Sequence, residues 1–130
     1  MKASFDHVKI NVSDPSFYKD LLTYLGFELG KVYAHGFGAK SDGIGVWVFK
    51  TPKKYERGFN FQATGLNHLA FHVSSNDEVD KFYSGYLLAK DIPIMHEPKE
   101  YTEYNQGRGY YAVFFQDPHG MKLEVNHKAS

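Results

Sequence analysis

Cysteine is absent from the 130-residue chain. That excludes a disulfide scaffold, a thiolate nucleophile and any Cys-based zinc site. A metal would have to be held by His, Asp and Glu, donors that suit Fe, Mn, Ni, Co or Zn. An excess of charge is missing too, because Lys+Arg and Asp+Glu number 15 each. With no phosphate-seeking field and no basic run, no nucleic-acid partner is expected. No apolar stretch approaches about 18 residues, and the N-terminus lacks the apolar core of a signal peptide. No membrane association is expected, and a cytoplasmic protein is. What the chain does contain is apolar and aromatic: 42% of residues are hydrophobic and 17% aromatic, which excludes disorder by composition. The length suits one compact unit with a real core and is short for two independent domains.

The organising feature is an internal repeat. Residues 5–13 read Phe-Asp-His-Val-Lys-Ile-Asn-Val-Ser and residues 66–74 read Leu-Asn-His-Leu-Ala-Phe-His-Val-Ser, which sets His7 on His68 without a gap. Both alternate: Val8, Ile10 and Val12 take one face, as do Leu69, Phe71 and Val73, and the histidines fall on the other. A period of two is a half-buried strand. Each is followed by an amphipathic helix. In the first, Asp14 can cap, Pro15 suits the first turn, Gly26 can end the helix, and Phe17, Leu21 and Leu25 form the stripe. In the second, Val79, Phe82, Tyr83, Tyr86 and Leu87 recur at helical spacing. Strand-like runs then follow at 27–34, 36–40 and 45–50, and again at 92–97, 110–115 and 121–126, with a turn at Asp117-Pro118-His119-Gly120. The pattern predicts an α+β fold. One domain, 1–130, would consist of two βαβββ modules, about 5–58 and 66–127. Their mixed sheets would curl into a half-barrel cavity with the helices outside. A period of about 60 residues is too long for a solenoid.

On the last strand Leu123 and Val125 take one face, and Lys122, Glu124 and Asn126 the other. His7, His68 and Glu124 therefore all lie opposite the helix-facing residues. Two imidazoles and a carboxylate form a facial triad that leaves coordination positions open, an arrangement that belongs to catalysis rather than to structural zinc. A single strand histidine is more often a hydrogen-bonded packing residue. The weight here comes from its duplication and from the carboxylate on the matching face.

The start Asp6-His7-Val8, the helix from Phe17-Tyr18 to Leu25-Gly26-Phe27 and the ending from Phe115 through Asp117-Pro118-His119-Gly120 to Glu124 resemble the vicinal oxygen chelate superfamily. That superfamily includes glyoxalase I, extradiol dioxygenases, fosfomycin-resistance proteins, epimerases and bleomycin-binding proteins, and the resemblance covers roughly residues 5–127. It implies that His7, His68 and Glu124 ligate a divalent metal ion and that a small vicinal-oxygen substrate is processed. The reaction would be of the lactoylglutathione lyase/isomerase or dioxygenase type.

Departures from the family pattern narrow the chemistry. Glyoxalase I and the epimerases usually add a carboxylate ligand on the last strand of the first module, where this chain places either Trp47 or Phe49 opposite Glu124, depending on register. The isomerase reaction then lacks its candidate base, unless Glu56, Glu100 or Glu103 supplies one. Extradiol enzymes tend to carry a tyrosine ten residues before the ligand glutamate; Phe114 stands there, with Tyr110 or Tyr111 able to compensate. Fosfomycin-resistance proteins often have a small hydroxyl residue where this chain has Lys9.

His72 shares the face of His68 and is a candidate acid–base group, although a cavity-wall residue is the commoner case. His119 is expected in solvent, His127 past the last strand, and His35 and His96 in loops. The segment 97–109 reads equally as a polar connector or as a lid, with Tyr104 a candidate catalytic group and Arg108 available to an anionic substrate group. Trp47, Phe49 and Phe114 would line the substrate pocket. The alternative function is a metal-independent binder of an aromatic ligand, of the bleomycin-resistance type; a descendant with a vestigial site is a third. Open sheet edges and the short linker near 60–65 lead to the expectation of a homodimer with a shared site.

Overall fold

A computed structural model describes all 130 residues, and the chain divides into two compact units, Met1–Arg57 and Gly58–Ser130. Each unit runs strand, helix, strand, strand, strand, so the fold is α+β as the repeat predicts.

In the first unit, β1 (His7–Val12) leads to α1 (Pro15–Tyr24), then β2 (Glu28–Val32), β3 (Gly36–Ser41) and β4 (Ile44–Lys50). The sheet order is β1-β4-β3-β2, with β1 and β4 parallel and the other pairs antiparallel. Asp14 caps α1 by accepting from the Ser16 N–H at 3.1 Å, and Pro15 opens the first turn, where its missing N–H costs nothing. The buried stripe is Tyr18, Leu21 and Leu22, with Phe17 and Leu25 only half-buried at its margins. The expected stripe of Phe17, Leu21 and Leu25 is thus rotated, because Tyr18 with Leu21 and Leu22 gives the tighter i, i+3, i+4 face.

The second unit repeats the plan with β5 (Leu69–His72), α2 (Asn76–Phe82), β6 (Ile94–Glu100), β7 (Tyr110–Gln116) and β8 (Lys122–Lys128), ordered β5-β8-β7-β6. Ser75 caps α2 by accepting from Glu78 N–H at 3.1 Å, and Glu78 reaches back to the Ser74 N–H at 3.0 Å. The second helix departs from the periodicity: after Phe82 it widens into a π-helical segment, Tyr83–Leu88, which keeps Tyr86 and Leu87 both buried. Its stripe packs on β7, with the Phe82 ring 5.4 Å from Phe115. Between β7 and β8, Asp117 Oδ1 accepts from the N–H groups of His119 and Met121, and Gly120 takes φ +93°. This turn fixes where β8 begins, and hence where Glu124 points. Two histidine expectations are corrected: His127 lies within β8, which runs past the apolar pattern, and His96 lies within β6, inside the strand-like run 92–97 rather than in a loop. His119 is exposed, as expected.

Glycines shape the first sheet. A Cβ on Gly38 would stand 2.5 Å from Trp47 Cζ3, and one on Gly36 2.6 Å from the Phe49 ring. The two aromatic side chains therefore lie across a strand that has no side chains in their way. Gly38→Ala is expected to displace Trp47 and cost about 1–3 kcal/mol. Trp47 is the one tryptophan of the chain, so its emission spectrum reports the shift directly. An unchanged spectrum and melting temperature would count against this packing.

Candidate metal centre

Strand alternation in the second unit gathers polar groups on one face of β8 and β7. Glu124 is 1% exposed, a burial that a carboxylate tolerates only when its oxygens are satisfied. They are. Tyr110 Oη donates to Oε2 in a short hydrogen bond, Asn126 Nδ2 donates to the same oxygen at 2.8 Å, and His68 Nε2 stands 3.0 Å from Oε1. Asn126 Nδ2 also donates to Tyr110 Oη at 3.1 Å, which closes a triangle. Burial, and then the bond to Glu124, pushes the Tyr110 phenol well above its ordinary range, so it remains a neutral donor.

The His68 ring is fixed from its other side. Asn67 Nδ2 donates to the Phe61 carbonyl at 2.8 Å, which turns Asn67 Oδ1 toward His68 Nδ1 at 2.7 Å. An amide oxygen only accepts, so Nδ1 donates to Asn67, and Nε2 is the nitrogen turned to the Glu124 carboxylate. The ring thus has an acceptor at each nitrogen, Asn67 Oδ1 at Nδ1 and Glu124 Oε1 at Nε2, 3.0 Å away. In donor chemistry, an imidazole nitrogen and a carboxylate oxygen are a pair that could hold a divalent ion.

His7 opens β1 in the first unit with its side chain half-exposed, and its Nδ1 meets Asp6 Oδ2 at 2.5 Å. That bond holds the Asp6 carboxyl below its usual range. Taken by itself, neither unit gathers three His, Asp or Glu side chains poised to hold a metal.

The register settles which residue of the first unit corresponds to Glu124. Ala70 pairs with Glu124, and Lys9, two residues past His7 as Ala70 is past His68, pairs with Trp47. Trp47 is therefore the counterpart of Glu124, and Phe49, which pairs with Asn11, corresponds to Asn126. Trp47 and Phe49 lie with Tyr33 in an aromatic group, at ring separations of 6.5 and 5.5 Å from the tyrosine, and Lys9 Nζ sits 4.4 Å above the Phe49 ring.

The remaining candidates are placed as follows. Phe114 pairs with Glu124 across β7 and β8, and its ring lies 6.0 Å from His68, edge to face. His96 meets the same ring at 6.0 Å, edge to face. His72 is exposed, with Nδ1 3.3 Å from Asn126 Oδ1 and its ring stacked on His127. Tyr104 is 45% exposed, stacked on Tyr101 and edge-on to Tyr110. Arg108 turns into its own loop, its guanidinium 3.3 Å from Asn105 Oδ1. Of the two tyrosines left open by the sequence, Tyr110 reaches Glu124 and Tyr111 bonds Asp80 of α2 at 2.6 Å, a contact that pushes its phenol up to about 12. Alternation separates them: Tyr110, Ala112 and Phe114 share the Glu124 face. Asn67 carried no signal beyond its place immediately before His68.

Residues 4–125 match the family described as the Glyoxalase/Bleomycin resistance protein/Dioxygenase superfamily. The chain is 29% identical over 124 residues to an uncharacterized protein of Bacillus subtilis (strain 168), YqjT, a match that covers 92% of this chain and 94% of that one. Among solved structures it resembles a candidate glyoxalase from Bacillus halodurans, at 31% identity and a TM-score of 0.80, over 95% and 94% of the two chains. A lactoylglutathione lyase from Agrobacterium tumefaciens shares the fold at 18% identity and a TM-score of 0.67, over 98% and 95%.

Proposed function

The chain belongs to the glyoxalase/bleomycin resistance protein/dioxygenase superfamily, and from that membership we propose that it is a divalent-metal-dependent enzyme acting on a small substrate with vicinal oxygens. Its ligands are His7, His68 and Glu124. The observation that carries this reading is the His68–Glu124 pair, an imidazole Nε2 held 3.0 Å from a buried carboxylate oxygen. When bound, the ion supplies a Lewis acid for the paired oxygens of the substrate.

The chain's own residues do the rest. Tyr110 and Asn126 hold Oε2, so Glu124 presents Oε1 in a single orientation. Phe114, Trp47 and Phe49 give the substrate apolar walls, and Arg108 is the cation for an anionic substrate group. His72, whose Nδ1 meets Asn126 Oδ1 on the Glu124 face, is the first candidate for an acid–base group, and Tyr104 is the second. With Trp47 where glyoxalase I carries a carboxylate, a base for proton abstraction has to come from another element. Three protein ligands therefore favour a dioxygenase or a lyase with a differently placed base.

The test is metal analysis of protein purified without chelator or affinity tag, beside His68→Ala. Wild type is expected to retain a divalent ion, and His68→Ala to lose at least 100-fold in affinity; equal metal content in both would overturn the assignment. The second reading, metal-independent capture of an aromatic ligand, draws on the Tyr33, Trp47 and Phe49 group. It is favoured if chelator-treated protein still binds a planar aromatic probe with quenching of Trp47.

A further inference from the structure

The residue before each repeated histidine does the same thing in both units. Asp6 Oδ2 accepts from His7 Nδ1 at 2.5 Å, and Asn67 Oδ1 accepts from His68 Nδ1 at 2.7 Å. A carboxylate has no proton to give, and the Asn67 amide is oriented by its donation to the Phe61 carbonyl, so Nδ1 is the donor in both rings and Nε2 is the nitrogen left for an ion. Sequence identity differs between the two clamps, but their hydrogen-bond sense does not.

We propose that Asp6 and Asn67 are positioning residues that lock His7 and His68 in one tautomer and present both Nε2 lone pairs to the divalent ion. The inference rests on the metal site proposed above and extends it to a supporting layer. A histidine whose remote nitrogen is held by a fixed acceptor loses neither tautomer nor ring orientation when it coordinates, and removing such an acceptor weakens metal binding by about 10–100-fold. The two clamps differ in what else they do. Asp6 is exposed, so its side chain serves the ring with little structural role. Asn67 also ties down the Phe61 carbonyl, so its loss has a structural component.

Two measurements decide the matter: nitrogen NMR of the histidine rings in metal-free protein, and titration with Co2+ alone followed by absorbance. Wild type is expected to show both rings protonated at Nδ1. Asp6→Ala should release the His7 tautomer and weaken Co2+ by about 10-fold or more, at an unchanged melting temperature. Asp6→Asn, which restores an acceptor, should recover most of the affinity. At the second clamp, Asn67→Asp keeps the acceptor and loses the donor, whereas Asn67→Ala loses both. Tight Co2+ binding should therefore survive in Asn67→Asp and fail in Asn67→Ala, even if both melt lower. Wild-type affinity in Asp6→Ala, or mixed tautomers in a wild type that binds Co2+, would overturn the clamp alone. A wild type that binds no Co2+ although both rings are locked would overturn the metal reading and, with it, the role given to the clamp.

Discussion

Glu124→Ala is expected to abolish metal uptake and to destabilise the protein by about 3–5 kcal/mol, the usual cost of breaking a buried, hydrogen-bonded charged pair. The reason is the 1% exposure of Glu124 together with its three partners. Removing the carboxylate leaves the Tyr110 hydroxyl, the Asn126 amide and the His68 ring with unmet groups in a desolvated place, and a cavity besides. For a chain of this length that stability loss corresponds to a fall in Tm of roughly 10–20 °C. Glu124→Gln separates the two roles. It keeps the volume and one acceptor oxygen, so it should melt much closer to wild type, yet without the negative charge it should still bind metal poorly. Thermal unfolding followed by circular dichroism, paired with metal stoichiometry, reads both. A Glu124→Ala protein that melts within about 2 °C of wild type would show that the network does not carry this weight.

The second large effect is a recovery. Each four-stranded sheet ends in edge strands, β1 and β2 in one and β5 and β6 in the other. Neither unit by itself assembles three ligands. We infer a homodimer in which His7 of one subunit completes the site of His68 and Glu124 of the other, a two-fold arrangement in which both sites are equivalent. His7→Ala and His68→Ala homodimers should then each bind metal poorly. Co-refolded, they should form heterodimers with one intact site and one doubly broken site. Random pairing makes half the dimers mixed, so metal content should return to about one quarter of the wild-type value. A monomer in sedimentation, or no recovery on mixing, would rule out the shared site and leave the ligands to be assembled within one chain.

The sequence by itself determined the two βαβββ modules and the common face of the site residues. Strand alternation is a local steric property with a period of two, and it put His7, His68 and Glu124 opposite the helix-facing Val8, Leu69 and Val125 before any pairing was known. The same alternation already separates Tyr110 from Tyr111, since Tyr110 stands an even number of residues from Phe114. Register is different. Whether Trp47 or Phe49 matches Glu124 depends on which residues of β1 and β4 face one another, and a shift along the strand leaves the local pattern intact; the Lys9–Trp47 pair decided it. The π-helical widening after Phe82 also escaped the sequence, because the spacing of Val79, Phe82, Tyr83, Tyr86 and Leu87 suits an ordinary helix as well. The orientation of the His68 ring was decided outside the strand it precedes. It follows from the Phe61 carbonyl that orients Asn67, and a hydrogen bond across six residues of irregular chain leaves no periodic trace in the sequence.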